Sequence, residues 1–179
     1  MIRWLSLRHL IAAAILVLVG GAIVVFLYVK SGAFNVAASH PHSSLVEWLT
    51  HETMINSVKR RAPEALPPQR VSAAQLIDGF CQFEAHCVAC HGAPAFAREQ
   101  WVNGLNPQPP YLLDAGRRWS PSQLYWIIRN GIKMTGMPAW RESMSDPEIR
   151  DTVALVEAME QLPPQTYLRW RAEKICGRG

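Results

Sequence analysis

Cys87-Val88-Ala89-Cys90-His91 decides the reading of this 179-residue chain. Two cysteines flank two residues and a histidine follows at once, the pattern used to attach c-type haem. The spacing has a chemical reason. Thiols one helical turn apart can each add to one vinyl group of a haem, giving two thioether links. His91 then sits under the iron and can coordinate it through Nε2. Three other readings compete. A zinc site on Cys87, Cys90 and His91 needs a fourth ligand, and structural zinc draws its ligands in pairs from separated segments. The chain holds no second Cys-x-x-Cys and no His pair to complete one. A thioredoxin-like redox pair expects a βαβ setting, of which there is no sign. The third is chance, in a chain of four cysteines.

Around Met137, fifty residues beyond Cys87, the chain reads Gly131-Ile132-Lys133-Met134-Thr135-Gly136-Met137-Pro138-Ala139-Trp140. A thioether sulfur is a soft ligand suited to haem iron, and Met/His ligation raises the reduction potential. Glycine permits close backbone approach and proline stiffens the turn, so Met137 is offered from a fixed loop. Met134 is its rival and Met144 a more distant one. A single methionine is ordinarily core filler.

With these residues in view the chain resembles the class I cytochrome c family, over about residues 72–163. Gly79 and Phe83 stand eight and four residues before Cys87. In the family, residues of these types pack the first helix against the last. Pro110-Tyr111-Leu112 is similar to the family's Pro-x-Leu loop, whose proline carbonyl accepts a hydrogen bond from the haem-ligating histidine. The resemblance therefore implies that Pro110 orients His91, with Pro107 and Pro109 as neighbouring alternatives. Met137-Pro138-Ala139-Trp140 is similar to the family's distal loop. Leu155 departs from the pattern, standing where the last helix often carries an aromatic. The resemblance implies one covalent haem c, an all-α fold, and an electron-transfer role rather than an enzyme's.

The periodicity agrees. Ser72 to Gln75 is a capping box that opens a helix running to the haem motif. Residues 92–119 are rich in Gly, Pro and Asn and predict a long loop. Ser120, Pro121 and Gln123 open a second helix with Leu124, Ile127 and Ile128 as its stripe and Gly131 just past its end. Ser145-Asp146-Pro147-Glu148 opens the last helix, with Ile149, Val153, Val156 and Met159 on one face and Pro163 and Pro164 as its stop. No convincing strand is present.

Leu10 to Val29 is an unbroken apolar run of twenty residues, the length a helix needs to cross a bilayer core. Arg3, Arg8 and His9 precede it and Lys30 follows, so the positive-inside rule places the N-terminus in the cytoplasm and the rest outside. A cleaved signal peptide ending near Val36-Ala37-Ala38 is the alternative, but the run exceeds the usual apolar core of a signal. The expectation is a bacterial inner-membrane anchor (1–30), a periplasmic linker with an amphipathic helix (31–71), the haem domain (72–165) and a basic, solvated tail (166–179).

Within the linker, Ser44 to Glu47 is a capping box, and Leu45, Trp48, Leu49, Ile55 and Val58 give a helical stripe until Pro63, Pro67 and Pro68 break it. The segment is expected to pack on the haem domain or on a partner. His40, His42 and His51 are expected to be solvated rather than to bind a metal. Residues 31–179 hold fifteen basic against fourteen acidic side chains, which is no nucleic-acid signature. Arg117, Arg118, Arg129 and Lys133 are expected near the haem rim, on a solvated surface or as a docking patch. On a helix Cys81 lies roughly 160° from Gly79 and 200° from Phe83, facing away from the seam with the last helix. A Cys81–Cys176 bond suits an oxidising compartment. Free thiols are the expectation, because chain tails are mobile.

Two functional classes follow. A six-coordinate iron serves an electron carrier, whose partners are a membrane oxidoreductase or terminal oxidase. A haem enzyme or sensor needs an open or displaceable sixth position. Met137 favours the carrier, as a tethered shuttle in a respiratory chain or as a haem c subunit of a larger membrane oxidoreductase.

Overall fold

The computed structural model describes residues 2–62 and 71–177. It divides into two compact units, Met1–His40 and Pro41–Gly179. Among the described residues every regular element is a helix, and the single β-bridge pairs Ala93 with Phe96. Pro63, Pro67, Pro68 and Arg178 lie outside the described residues.

The first unit is one helix, α1 (Ile2–Ser31), and the turns after it. Leu7–Ser31 is long and apolar enough to cross a membrane, and none of it is buried against protein. Beyond it the Ser31 hydroxyl donates to the Tyr28 carbonyl and Gly32 takes φ +67°.

The second unit contains α2 (Ser44–Arg61), α3 (Ala73–His86), α4 (Val88–His91), α5 (Ala115–Arg118), α6 (Pro121–Asn130), α7 (Asp146–Ala158) and α8 (Pro164–Ala172). Three of these helices start as their sequences predict. Ser72, Ser120 and Ser145 each hold extended backbone, accept from the amide three residues on, and receive the reciprocal side-chain bond from Gln75, Gln123 and Glu148. In α2 the cap is one residue earlier than expected. Ser43, not Ser44, has the extended backbone, and its hydroxyl accepts from the Val46 amide.

The α3–α7 pair is the centre of the unit. A Cβ on Gly79 would collide with the Asp151 carbonyl and stand 3.2 Å from Leu155 Cβ, so only glycine allows this approach. Gln75 and Gln82 of α3 also donate to Asp151 and Glu148 of α7. Ile149, Val153, Leu155, Val156 and Met159 are buried with Phe80 and Phe83 in one cluster. Each large apolar side chain fully buried there contributes about 1.5–3 kcal/mol. α6 packs on α7 through Leu124 and Ile128, and α2 packs on α6 with Val58 fully buried. Of the expected α2 stripe only Val58 and Ile55 are withdrawn from solvent; Leu45, Trp48 and Leu49 are exposed.

The chain end corrects three expectations. Pro163 and Pro164 do not close the helical part of the domain. Pro164 occupies the first turn of a further helix, α8, where its missing N–H is no loss. Nor is 166–179 a solvated tail over its described length. Tyr167 is fully buried, and Phe80 meets Tyr167 and Trp170 edge-on at centroid distances of 5.1 and 5.3 Å. Tyr167 Oη donates to Glu84, and Arg171 bonds the same carboxylate at 2.9 Å. Cys81 and Cys176 form a disulfide with Cα atoms 5.4 Å apart, so they are not free thiols. Aromatic anchoring of α8 removes the mobility on which the free-thiol expectation rested. α3 thus carries α7 on its Gly79 side and the chain end on its Phe80–Cys81–Glu84 side.

Candidate functional site

The Cys87–His91 motif occupies the end of α3 and the single turn of α4. The Cys87 carbonyl accepts from the Cys90 amide at 3.1 Å and from the His91 amide at 2.9 Å. The two thiols are unbonded to each other, Cys87 buried and Cys90 half-buried. Gly92 ends the turn with φ +64°, in a space closed by Phe96 and the Tyr111 ring.

His91 is fixed from the loop opposite. Its Nδ1 lies 2.7 Å from the Pro110 carbonyl oxygen, the proline that the Pro-x-Leu resemblance pointed to. That bond places the ring proton on Nδ1 and leaves the Nε2 lone pair free for a metal. Burial lowers the His91 pKa, the bond to Pro110 opposes this, and the Arg98 charge adds to the lowering. The ring is therefore neutral, as a ligand must be. Burial, reinforced by Cys90, pushes the Cys87 thiol up to about 12.

Sequence reading missed Arg98. Its guanidinium donates to the Pro109 carbonyl at 2.7 Å and to Gln108 Oε1 at 3.0 Å, and stands 4.8 Å from the Tyr111 ring centroid. It thereby braces the loop that offers the Pro110 carbonyl. An isolated arginine in a Gly- and Pro-rich loop carries no pattern by which to find it.

The second loop starts where α6 ends. Gly131 has φ +64°, and a Cβ there would run into the backbone of Pro138 and Met137. The Ile132 amide donates to the Met137 carbonyl, and the Met137 amide to Thr135 Oγ1. Met137 packs against the core cluster, Met134 is 92% exposed at φ +61°, and Met144 is part of the buried core. Three of the four expected rim cations are paired with acids: Arg117 with Glu160, Arg118 with Asp114 at 2.8 Å, and Arg129 with Asp146 at 3.2 Å.

Two thiols a turn apart, an imidazole whose Nδ1 is held by a backbone carbonyl, and a thioether on a braced loop fit the chemistry of a c-type haem. Such a group, when bound, supplies a one-electron couple. Neither competing reading finds support in the fold. Among the described residues there is no βαβ unit, and no three His, Cys, Asp or Glu side chains gather as metal ligands.

Comparison with known proteins gives the same direction. Residues 74–156 match the family described as cytochrome c oxidase, cbb3-type, subunit III. No curated protein matches the chain. The matched segment runs from α3 through most of α7 and contains both loops, so α2 and α8 are additions to it. With its helical fold, its Cys-x-x-Cys-His turn and this match, residues 74–156 form a domain of the class I c-type cytochrome family, electron-transfer modules that imply a covalently bound haem c.

Proposed function

We propose that the protein is a membrane-anchored, mono-haem cytochrome c that relays single electrons in a respiratory chain. Cys87 and Cys90 form the thioether links, and His91 and Met137 are the axial ligands. Leu7–Ser31 is a retained span in the bacterial inner membrane, with the haem domain in the periplasm. The observation that carries the reading is the 2.7 Å bond between His91 Nδ1 and the Pro110 carbonyl, which leaves Nε2 to the iron. Saturated ligation leaves no site for substrate, so the role is relay rather than catalysis. The donor is a quinol- or substrate-oxidising membrane enzyme and the acceptor a terminal oxidase or a mobile carrier.

A second reading has its own support. The matched family is described as a subunit of an oxidase, which favours a fixed haem c subunit of a membrane oxidoreductase. The experiment is purification in mild detergent from the native membrane, with haem staining on a denaturing gel. One haem per chain that survives denaturation, and is lost in Cys87→Ala/Cys90→Ala, supports the attachment. A colourless, zinc-containing product from a host able to mature c-type haem overturns it. Stoichiometric copurification with an oxidase core assigns the subunit role, and purification alone assigns the shuttle.

A further inference from the structure

Three apolar side chains at the start of α2 stand largely exposed. Leu45, Trp48 and Leu49 are 64%, 59% and 48% exposed. They stand at i, i+3 and i+4, so they form one strip along the first turn and a half. The strip lies about 130° around the helix from Val58, which is fully buried where α2 packs on α6. Folding of the domain therefore explains Val58 and leaves the strip unexplained.

Its place in the chain says what covers it. The strip begins fourteen residues after Ser31, the last residue of the membrane-length helix. A flexible connection of that length spans roughly 20 Å, and a fully extended one no more than about 50 Å. The connection has the composition for a lipid surface, with no Asp or Glu from Ser31 to Val46. Trp48 is the side chain type that settles at the boundary between headgroups and acyl chains. The polar, basic end of α2, Lys59-Arg60-Arg61, lies at the far end from the strip. Three side chains are too few to hold a protein on a bilayer alone, but a tether makes the contact intramolecular and a weak affinity then suffices.

We propose that Leu45, Trp48 and Leu49 insert into the headgroup boundary of the membrane crossed by Leu7–Ser31. This is a second membrane contact, and it rests on the reading of that helix as a retained span. Because α2 is packed on α6, and α6 leads into the loop bearing Met137, the contact restricts how the haem domain can turn above the bilayer. The tether alone would leave every orientation open; the strip selects among them.

The test uses the full-length haem protein in vesicles of phosphatidylethanolamine and phosphatidylglycerol doped with a lipid photoactivatable near its headgroup. Peptides carrying lipid adducts are mapped by mass spectrometry. Adducts on 44–52 well above those on 99–104, which holds the equally exposed Trp101, are expected. In Leu45→Ser/Trp48→Ser/Leu49→Ser the adducts on 44–52 should fall several-fold, with those on 7–31 and the haem spectrum unchanged. Labelling of 7–31 with none on 44–52 above the Trp101 peptide overturns the inference and leaves the anchor standing. Loss of labelling on 7–31, with release of the protein by a high-salt wash, overturns the anchor itself. Crosslinking of 44–52 to a protein in native membranes, without lipid adducts in vesicles, also overturns the inference and makes the strip a protein interface.

Discussion

The Pro110 carbonyl oxygen accepts a hydrogen bond from His91 Nδ1 at 2.7 Å, across nineteen residues of sequence. The acceptor is backbone, so its position depends on the loop and not on the Pro110 side chain. Arg98 braces that loop through Pro109 and Gln108. Replacing Arg98 by Ala should loosen the loop and weaken the orientation of His91. The expected outcome is a broadened haem spectrum, a changed reduction potential and a modest loss of stability, of the order of 1–3 kcal/mol for a charge-assisted bond. Arg98→Lys keeps the charge but not the fork, and should restore little of it. Potentiometry of the three proteins checks this.

Met137 and Met134 should separate cleanly. Met137 packs on the core and Met134 is almost fully in solvent. Met137→Ala is expected to remove the sulfur-to-iron charge-transfer band, lower the potential and admit carbon monoxide, while Met134→Ala does none of these. Reversed results would mean that Met134 is the ligand and that the loop rearranges around the haem.

Gly79→Ala tests the helix seam. The added methyl would meet the Asp151 carbonyl, a backbone atom that cannot swing aside. α3 and α7 must then separate, and a loss of about 1–3 kcal/mol or more is expected for such overpacking. Denaturant unfolding monitored at the haem band measures it. An unchanged midpoint would show that α3 and α7 are not in close contact in solution.

The disulfide should contribute through the chain it closes. Cys81 and Cys176 are 95 residues apart, and a loop of that length is worth roughly 2–5 kcal/mol. Cys81→Ser/Cys176→Ser should lower stability by that order while the haem remains attached. Loss of haem in this variant would instead mean that the pair protects the Cys87 and Cys90 thiols from mispairing before attachment.

Alkaline conditions should loosen the chain end. Burial, and then the hydrogen bond to Glu84, raise the Tyr167 hydroxyl above its ordinary range near about 10. The folded-state value is raised, so the stabilisation is full below the unfolded value of about 10 and is lost as pH rises above it. Tyr167→Phe removes that titration. Its stability should fall less steeply than that of the parent as pH rises above about 10, by denaturant midpoints at matched pH.

Much of the molecule was legible in the chain because it rests on local rules. Ser72, Ser120 and Ser145 open helices by bonding amides three residues away, and the Cys87–His91 turn closes on itself within five consecutive residues. An unbroken apolar run from Leu10 to Val29 states its length without any partner. Other features depend on groups far apart in sequence, and only the tertiary structure decided them. The choice of Pro110 over Pro107 and Pro109 needed the loop's path, and the bracing by Arg98 needed that loop in place. Periodicity put Leu45, Trp48, Leu49 and Val58 on one helix, yet it could not say which of them α6 would cover. The basic residues around Trp170 looked like a solvated tail because charge is read residue by residue. Tyr167, Phe80 and Glu84 are brought together only by the fold, and that contact carries Cys176 to Cys81.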